Sequence, residues 1–182
     1  MVTSMMKTAV PFALALVASV GMVSAQKSPP EQASATIAGK TLTIKYSAPS
    51  VRGREGKLFG PGGKISEDPN YPVWRAGANA ATTLHTDADL NIGGLDVPAG
   101  TYTLFVLVDN PDAWQLIINK QTGQWGLKYD KSQDLGRVQM EMSKPGTLVE
   151  TLKYTIRDEG DHKGKLELAW ENHVASVPIT VR

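Results

Sequence analysis

Apolar and polar residues alternate with period two along most of the chain, the pattern of strands that turn one face to a core. Leu42, Ile44 and Tyr46 alternate with Thr41, Thr43 and Lys45. An Ala38-Gly39-Lys40 turn joins them to an earlier strand around Ala33 to Ile37, which predicts an N-terminal hairpin. In T-Y-T-L-F-V-L-V, Tyr102, Leu104, Val106 and Val108 share one face and Phe105 and Leu107 the other, which predicts a central strand covered from both sides. Further strands are predicted over 81–86, 89–92, 114–119, 136–142, 150–157, 165–171 and 174–181. Gly93-Gly94, Val97-Pro98-Ala99-Gly100 and Asp109-Asn110-Pro111-Asp112 supply the turns. Around D-E-G-D-H-K-G, Leu152, Tyr154 and Ile156 are expected to face Leu166, Leu168 and Trp170. No segment sustains the spacing of a long amphipathic helix. About nine or ten short strands imply an all-β fold, an antiparallel β-sandwich or a jelly-roll-like barrel.

One stretch breaks the alternation. From Ala48 to Val73 the chain is rich in Gly and Pro and has no period, and an uninterrupted loop of that length inside a compact domain is usually functional, mobile or wrapped over the surface. It runs into W-R-A-G-A-N-A-A-T-T-L, residues 74–84, where Arg75 and Asn79 stand among small residues directly after Trp74.

The N-terminus differs again. Lys7 precedes an apolar run that ends in Val23-Ser24-Ala25, the layout of a secretory signal peptide cut after Ala25. The run is shorter than the roughly 20 residues of a spanning helix. The expectation is an exported protein, periplasmic or extracellular, with residues 26–182 forming one domain and no membrane span in the mature chain. Lys+Arg number 19 and Asp+Glu 18, and removal of Lys7 leaves 18 of each. A neutral chain has no global field to draw nucleic acid, so nucleic-acid partners are not expected. With no cysteine, neither disulfides nor a thiolate metal site is available, and packing must hold the fold.

Candidate chemistry is sparse. The glycines of G-K-L-F-G-P-G-G-K-I lack phosphate-loop spacing, and Ile65 follows Lys64 where a hydroxyl is needed. His85, Asp87 and Asp89 would share a strand face, but the outer two lie roughly 13 Å apart on an extended chain, too far for one metal ion. His162 sits at a charged hairpin tip and His173 follows W-E-N; neither has zinc-site spacing, and no serine lies in a nucleophile elbow. No catalytic residue, metal or cofactor is assigned. The basic residues near the long loop are more suggestive. A loop that folds back would bring Arg52 and Arg54 beside Trp74 and Arg75, giving guanidinium forks for an anionic group and an indole face for a ring. Asn79 belongs to the same corner, with Asn119, Trp125 and Tyr129 across from it. Against this stands a structural reading in which Arg75 pairs with a carboxylate such as Glu171 or bonds loop carbonyls.

W-R-A-G-A-N-A-A-T-T-L, V-P-A-G-T-Y-T-L-F, W-Q-L-I-I-N-K, Trp125-Gly126 with Tyr129, and W-E-N at Trp170 to Asn172 occur in an order that resembles the bacterial domain of unknown function twenty-nine eleven. R-G-R at Arg52 to Arg54 and Phe59-Gly60 resemble its entry segment. The resemblance spans nearly the whole mature chain and implies an exported bacterial protein of β architecture, without an established activity. This chain has Ala80 where the family segment carries a glutamate, and I-S-E-D-P-N-Y-P looks inserted before Trp74; the first departure favours binding or structure over chemistry. The expectation is a non-catalytic binding or envelope-associated module for a small anionic or carbohydrate ligand. The alternatives are a hydrolase of envelope carbohydrate or peptide with carboxylate catalysts, or a purely structural or protein-interaction domain. A homodimer through an exposed strand edge is compatible with the pattern.

Overall fold

The computed structural model describes residues 28–182; the expected signal peptide lies outside them. In chain order the strands are β1 (Pro30–Ile37), β2 (Lys40–Ser47), β3 (Val73–Trp74), β4 (Thr82–Thr86), β5 (Leu90–Ile92), β6 (Leu95–Val97) and β7 (Gly100–Leu107). They continue as β8 (Gln115–Asn119), β9 (Asp134–Gln139), β10 (Glu141–Ser143), β11 (Val149–Gly160), β12 (Lys163–Glu171) and β13 (His173–Val181). One sheet has the order β1-β2-β4-β7-β8-β9 with β3 also on β7; the other has β11-β12-β13-β5-β6 with β10 on β13. Both orders have free ends, so the fold is an antiparallel sandwich and not a barrel.

The pleat decides what is buried. Leu42, Ile44 and Tyr46 of β2 and Tyr102, Leu104 and Val106 of β7 point between the sheets, where they meet Leu152, Tyr154 and Ile156 of β11 and Leu166, Leu168 and Trp170 of β12. In the β11–β12 hairpin Tyr154 lies opposite Leu168 and Ile156 opposite Leu166. The other face of β7 is also covered: Phe105 packs with Val73 and Ile117, and Leu107 and Tyr129 close the edge of that small cluster. This is the central strand read from the sequence.

Thirteen strands stand among the described residues where about nine or ten were expected. β3 and β6 are too short to show a period, and the run read as one strand over 136–142 is split into β9 and β10, which belong to different sheets.

The 48–72 segment is anchored rather than loose. Val51 and Leu58 are fully buried and Ile65, in a 3-10 turn at Lys64–Glu67, nearly so. Phe59 reaches an aromatic cluster at one end of the sandwich, with ring centroids 5.5 Å from Trp74, 4.8 Å from Trp114 and 5.7 Å from Trp170. Trp74 and Trp170 stack at 5.6 Å with 15° between their planes, which ties the two sheets together.

Candidate functional site

The small residues after Trp74 are needed where three backbones converge. A side chain at Gly77 would meet Thr82 Oγ1 at 2.6 Å and the Ser47 carbonyl at 3.3 Å. Ala76 and Asn79 hold left-handed φ values of 49° and 58°, which non-glycine residues keep only when their surroundings fix them. Two donors fix Ala76: its carbonyl accepts from Thr82 Oγ1 at 3.1 Å and from the Tyr154 hydroxyl at 2.9 Å. On the outer side the 124–126 segment lies along 79–81, with Gly126 N–H donating to Asn79 O at 3.0 Å and Ala81 N–H to Gln124 O at 3.3 Å. Gly126 admits this approach, because a Cβ there would stand 2.8 Å from Arg75 Cδ.

This packing gathers three of the predicted site residues. Arg54, Trp74 and Arg75 line one cavity of about 250 Å³, together with Leu58, Lys64, Ile65, Glu67, Asp68 and Trp170. Its floor includes the stacked indoles, and the inserted-looking segment supplies Ile65, Glu67 and Asp68 to its wall. Arg75 Nη2 donates to Asp68 Oδ1 at 3.1 Å, and Lys64 pairs with Glu67. The structural reading gave Arg75 a carboxylate such as Glu171; the carboxylate is Asp68, which the loop brings over the arginine. Burial pushes the Asp68 carboxyl up from its usual range, with Arg75 and Lys64 pulling it back. Arg54 is different. Its Nε donates to Val51 O at 2.9 Å and its Nη2 to Ser50 O at 2.7 Å, and no carboxylate among the described residues lies within ion-pair distance. Its half-buried charge is oriented by two carbonyls.

The other predicted residues lie elsewhere. The Arg52 side chain is exposed and its backbone N–H donates to Glu150 Oε1 at 2.8 Å. Asn79 Nδ2 donates to Ser28 O at 3.3 Å. Trp125 is 51% exposed, beside the Ala80 bridge and outside the cavity. Asn119 and Tyr129 belong to a network on the outer face of the first sheet. Asn119 Nδ2 donates to Asp130 O and Asp134 Oδ1, each at 2.9 Å, while its Oδ1 accepts from Gln121 N. Tyr129 donates to Asp134 Oδ2 at 2.7 Å, and Arg137 donates to both. Burial and the Asp134 carboxylate push the Tyr129 phenol up to about 12, so this network is internally satisfied at neutral pH.

Glu171, weighed above as a partner for Arg75, and His173, weighed above as a zinc ligand, stand against each other instead. Trp170 pairs with His173, leaving Glu171 and Asn172 as a two-residue turn. Glu171 is 2% exposed with φ of 56°, a position glycine ordinarily takes. Its Oε1 accepts from Gly56 N–H at 2.7 Å, and its Oε2 stands 3.4 Å from His173 Nδ1. The imidazole stacks on Trp114 at 5.1 Å and lies against Phe59 at 4.7 Å. A signal was present: W-E-N-H sits between two period-two runs, and a two-residue turn there places both ionisable groups at the aromatic end.

Burial lowers the His173 value below 6.5, outweighing the opposite pull of Glu171. The unfolded chain therefore binds a proton at this residue at a higher pH than the folded chain does. Stability at this position is full above 6.5 and falls as pH drops through the window down to the lowered folded value. Urea unfolding at pH 7.5 and at successively lower pH is expected to show a decline that is smaller in His173→Gln, with equal declines counting against the buried neutral imidazole.

The family-level comparison agrees with the motif order. A model of the family described as "Protein of unknown function (DUF2911)" matches residues 28–179. The chain belongs to the DUF2911 family. No curated protein and no solved structure matches this DUF2911 chain. The match takes in the whole 48–72 segment and the W-E-N turn, so the cavity of Arg54 and Arg75 and the Glu171–His173 pair both lie inside the family region.

Proposed function

We propose that this DUF2911 domain is an exported, non-catalytic binding module for a small anionic ligand, a carboxylate or a sugar acid, held at the cavity of Arg54, Lys64 and Arg75. The observation that carries the reading is the imbalance of charge: three cationic side chains face a cavity whose acidic groups are Glu67 and Asp68. Each of those carboxylates already has its cation, while Arg54, with its Nε and Nη2 donating to Val51 O and Ser50 O, keeps its Nη1 end for a ligand. A guanidinium is suited to this because its planar donors match a carboxylate in bidentate fashion. Trp74 and Trp170 add an apolar floor on which a sugar ring packs, and the volume suits a ligand no larger than about one such ring. Export is supported by the apolar N-terminal run ending in Val23-Ser24-Ala25.

The test is a thermal-shift series on residues 26–182 with acetate, sulfate, glucose and galacturonate. A ligand at about 100 times its dissociation constant adds about 2.7 kcal/mol and is expected to raise the midpoint by roughly 5–10 °C. Galacturonate is expected to give the largest shift and glucose the smallest. Arg54→Ala is expected to reduce the galacturonate shift sharply and Arg54→Lys to reduce it less, because the charge remains and the planar donors do not. A galacturonate shift unchanged in Arg54→Ala removes the reading. Turnover of a labelled envelope polymer by the purified protein would bring forward a hydrolase in which Glu67 and Asp68 act on the substrate.

A further inference from the structure

A second cleft, of about 310 Å³, opens on the other side of the aromatic cluster. Pro111, Asp112, Met142, Ser143, Lys144, Asn172 and His173 line it. Three features set it apart from ordinary surface relief. A buried carboxylate, Glu171, is kept in a left-handed turn conformation beside it. That carboxylate stands against the buried Nδ1 of His173, which has no hydrogen bond, while Nε2 is the ring nitrogen left accessible. The ring itself cannot swing freely, since Trp114 stacks on one face and Phe59 packs obliquely against it. A carboxylate behind Nδ1 favours the tautomer with its proton there and leaves Nε2 as an acceptor facing the cleft.

We propose that this cleft binds a small hydroxycarboxylate, with its carboxylate between Lys144 and a protonated His173 and its hydroxyl donating to Asp112. The charges that line the cleft select this class. A bare anion would gain Lys144 but meet the Asp112 carboxylate in the same cleft, whereas a ligand that also carries an O–H offers Asp112 a donor. The groups facing His173 are Glu171 on its own hairpin, Lys144 beyond β10 and Asp112 in the turn before β8; the packed faces of Phe59 and Trp114 are neutral. In the free protein burial and Lys144 disfavour the imidazolium. A bound carboxylate offsets both, so the proton moves from solvent to Nε2 as the ligand binds, and Glu171 stabilises the resulting charge across the ring.

This site is independent of the Arg54 cavity, and the experiment separates the two. Imidazole nitrogen and proton shifts of His85, His162 and His173 are followed by NMR while L-lactate, acetate or glycerol is added. Lactate is expected to move the His173 signals saturably and to raise its titration midpoint by about one pH unit. Acetate, without the hydroxyl, is expected to bind more weakly, and glycerol to leave the signals unmoved. Lys144 and Asp112 are exposed, so Lys144→Gln and Asp112→Asn are expected to fold; the first is expected to weaken lactate binding at least about tenfold. Asp112→Asn is expected to reduce the preference for lactate over acetate, and Arg54→Ala to change nothing at His173. The proposal is overturned if lactate gives no saturable shift, or if the Lys144→Gln protein responds as the wild type does.

Discussion

Replacing Trp74 by alanine is expected to destabilise the protein by about 3–5 kcal/mol, among the largest effects of any single core truncation. Trp74 is 2% exposed and sits on the short β3, which pairs with β7. Its indole meets Phe59 from the long loop and Trp170 from the second sheet, and its centroid lies 6.2 Å from that of Trp114. Alanine removes contacts to both sheets and to the loop at once, and the rigid neighbouring rings cannot close the gap. Guanidinium unfolding of wild type and variant measures the loss. A value below about 1 kcal/mol, the ordinary cost of a point substitution, would mean that the cluster does not join the sheets. The variant also loses half of the cavity floor, so ligand shifts are expected to shrink with it.

Asn119→Ala is expected to cost about 3 kcal/mol, by a different cause. Asn119 is fully buried, and its amide serves two acceptors and one donor in the segment that covers the outer face of β8. Alanine leaves Gln121 N–H and one Asp134 lone pair without partners, and each buried orphan costs roughly 1–3 kcal/mol. Asn119→Asp is expected to recover little at neutral pH, since a carboxylate cannot donate to Asp130 O and would face Asp134. Thermal unfolding that leaves both variants near the wild-type midpoint would assign the ordering of 120–133 to other contacts.

The contrast between these residues shows what the sequence could carry. β7 was legible on both faces because its apolar residues run without a break, and β2, β11 and β12 because their periods are long. β3 was not, since two residues have no period, yet it positions Trp74 and starts the corner that holds Arg75. Long-range partners were hidden for the same reason. Asp68 lies in an aperiodic stretch that only the folded loop brings to Arg75, and Glu171, one carboxylate offered for Arg75, meets Gly56 and His173 instead. Ala76 reads as a filler residue, although its left-handed backbone and doubly bonded carbonyl turn the chain between the sheets. Arg54, Trp74 and Arg75 were placed together by local composition; Asn119 and Tyr129 were grouped with them because sequence gives no sign of which side of a sheet a covering loop will take.

The central claim, an anion seated at Arg54 in the cavity that Lys64 and Arg75 also line, is tested most directly by following the side-chain Nε–Hε resonances of the arginines during a galacturonate titration. Saturable shifts are expected at Arg54 and Arg75, accompanied by the Trp170 indole N–H and absent from Arg137 and Arg157. Shifts spread evenly over all arginines, or none at Arg54, would contradict it.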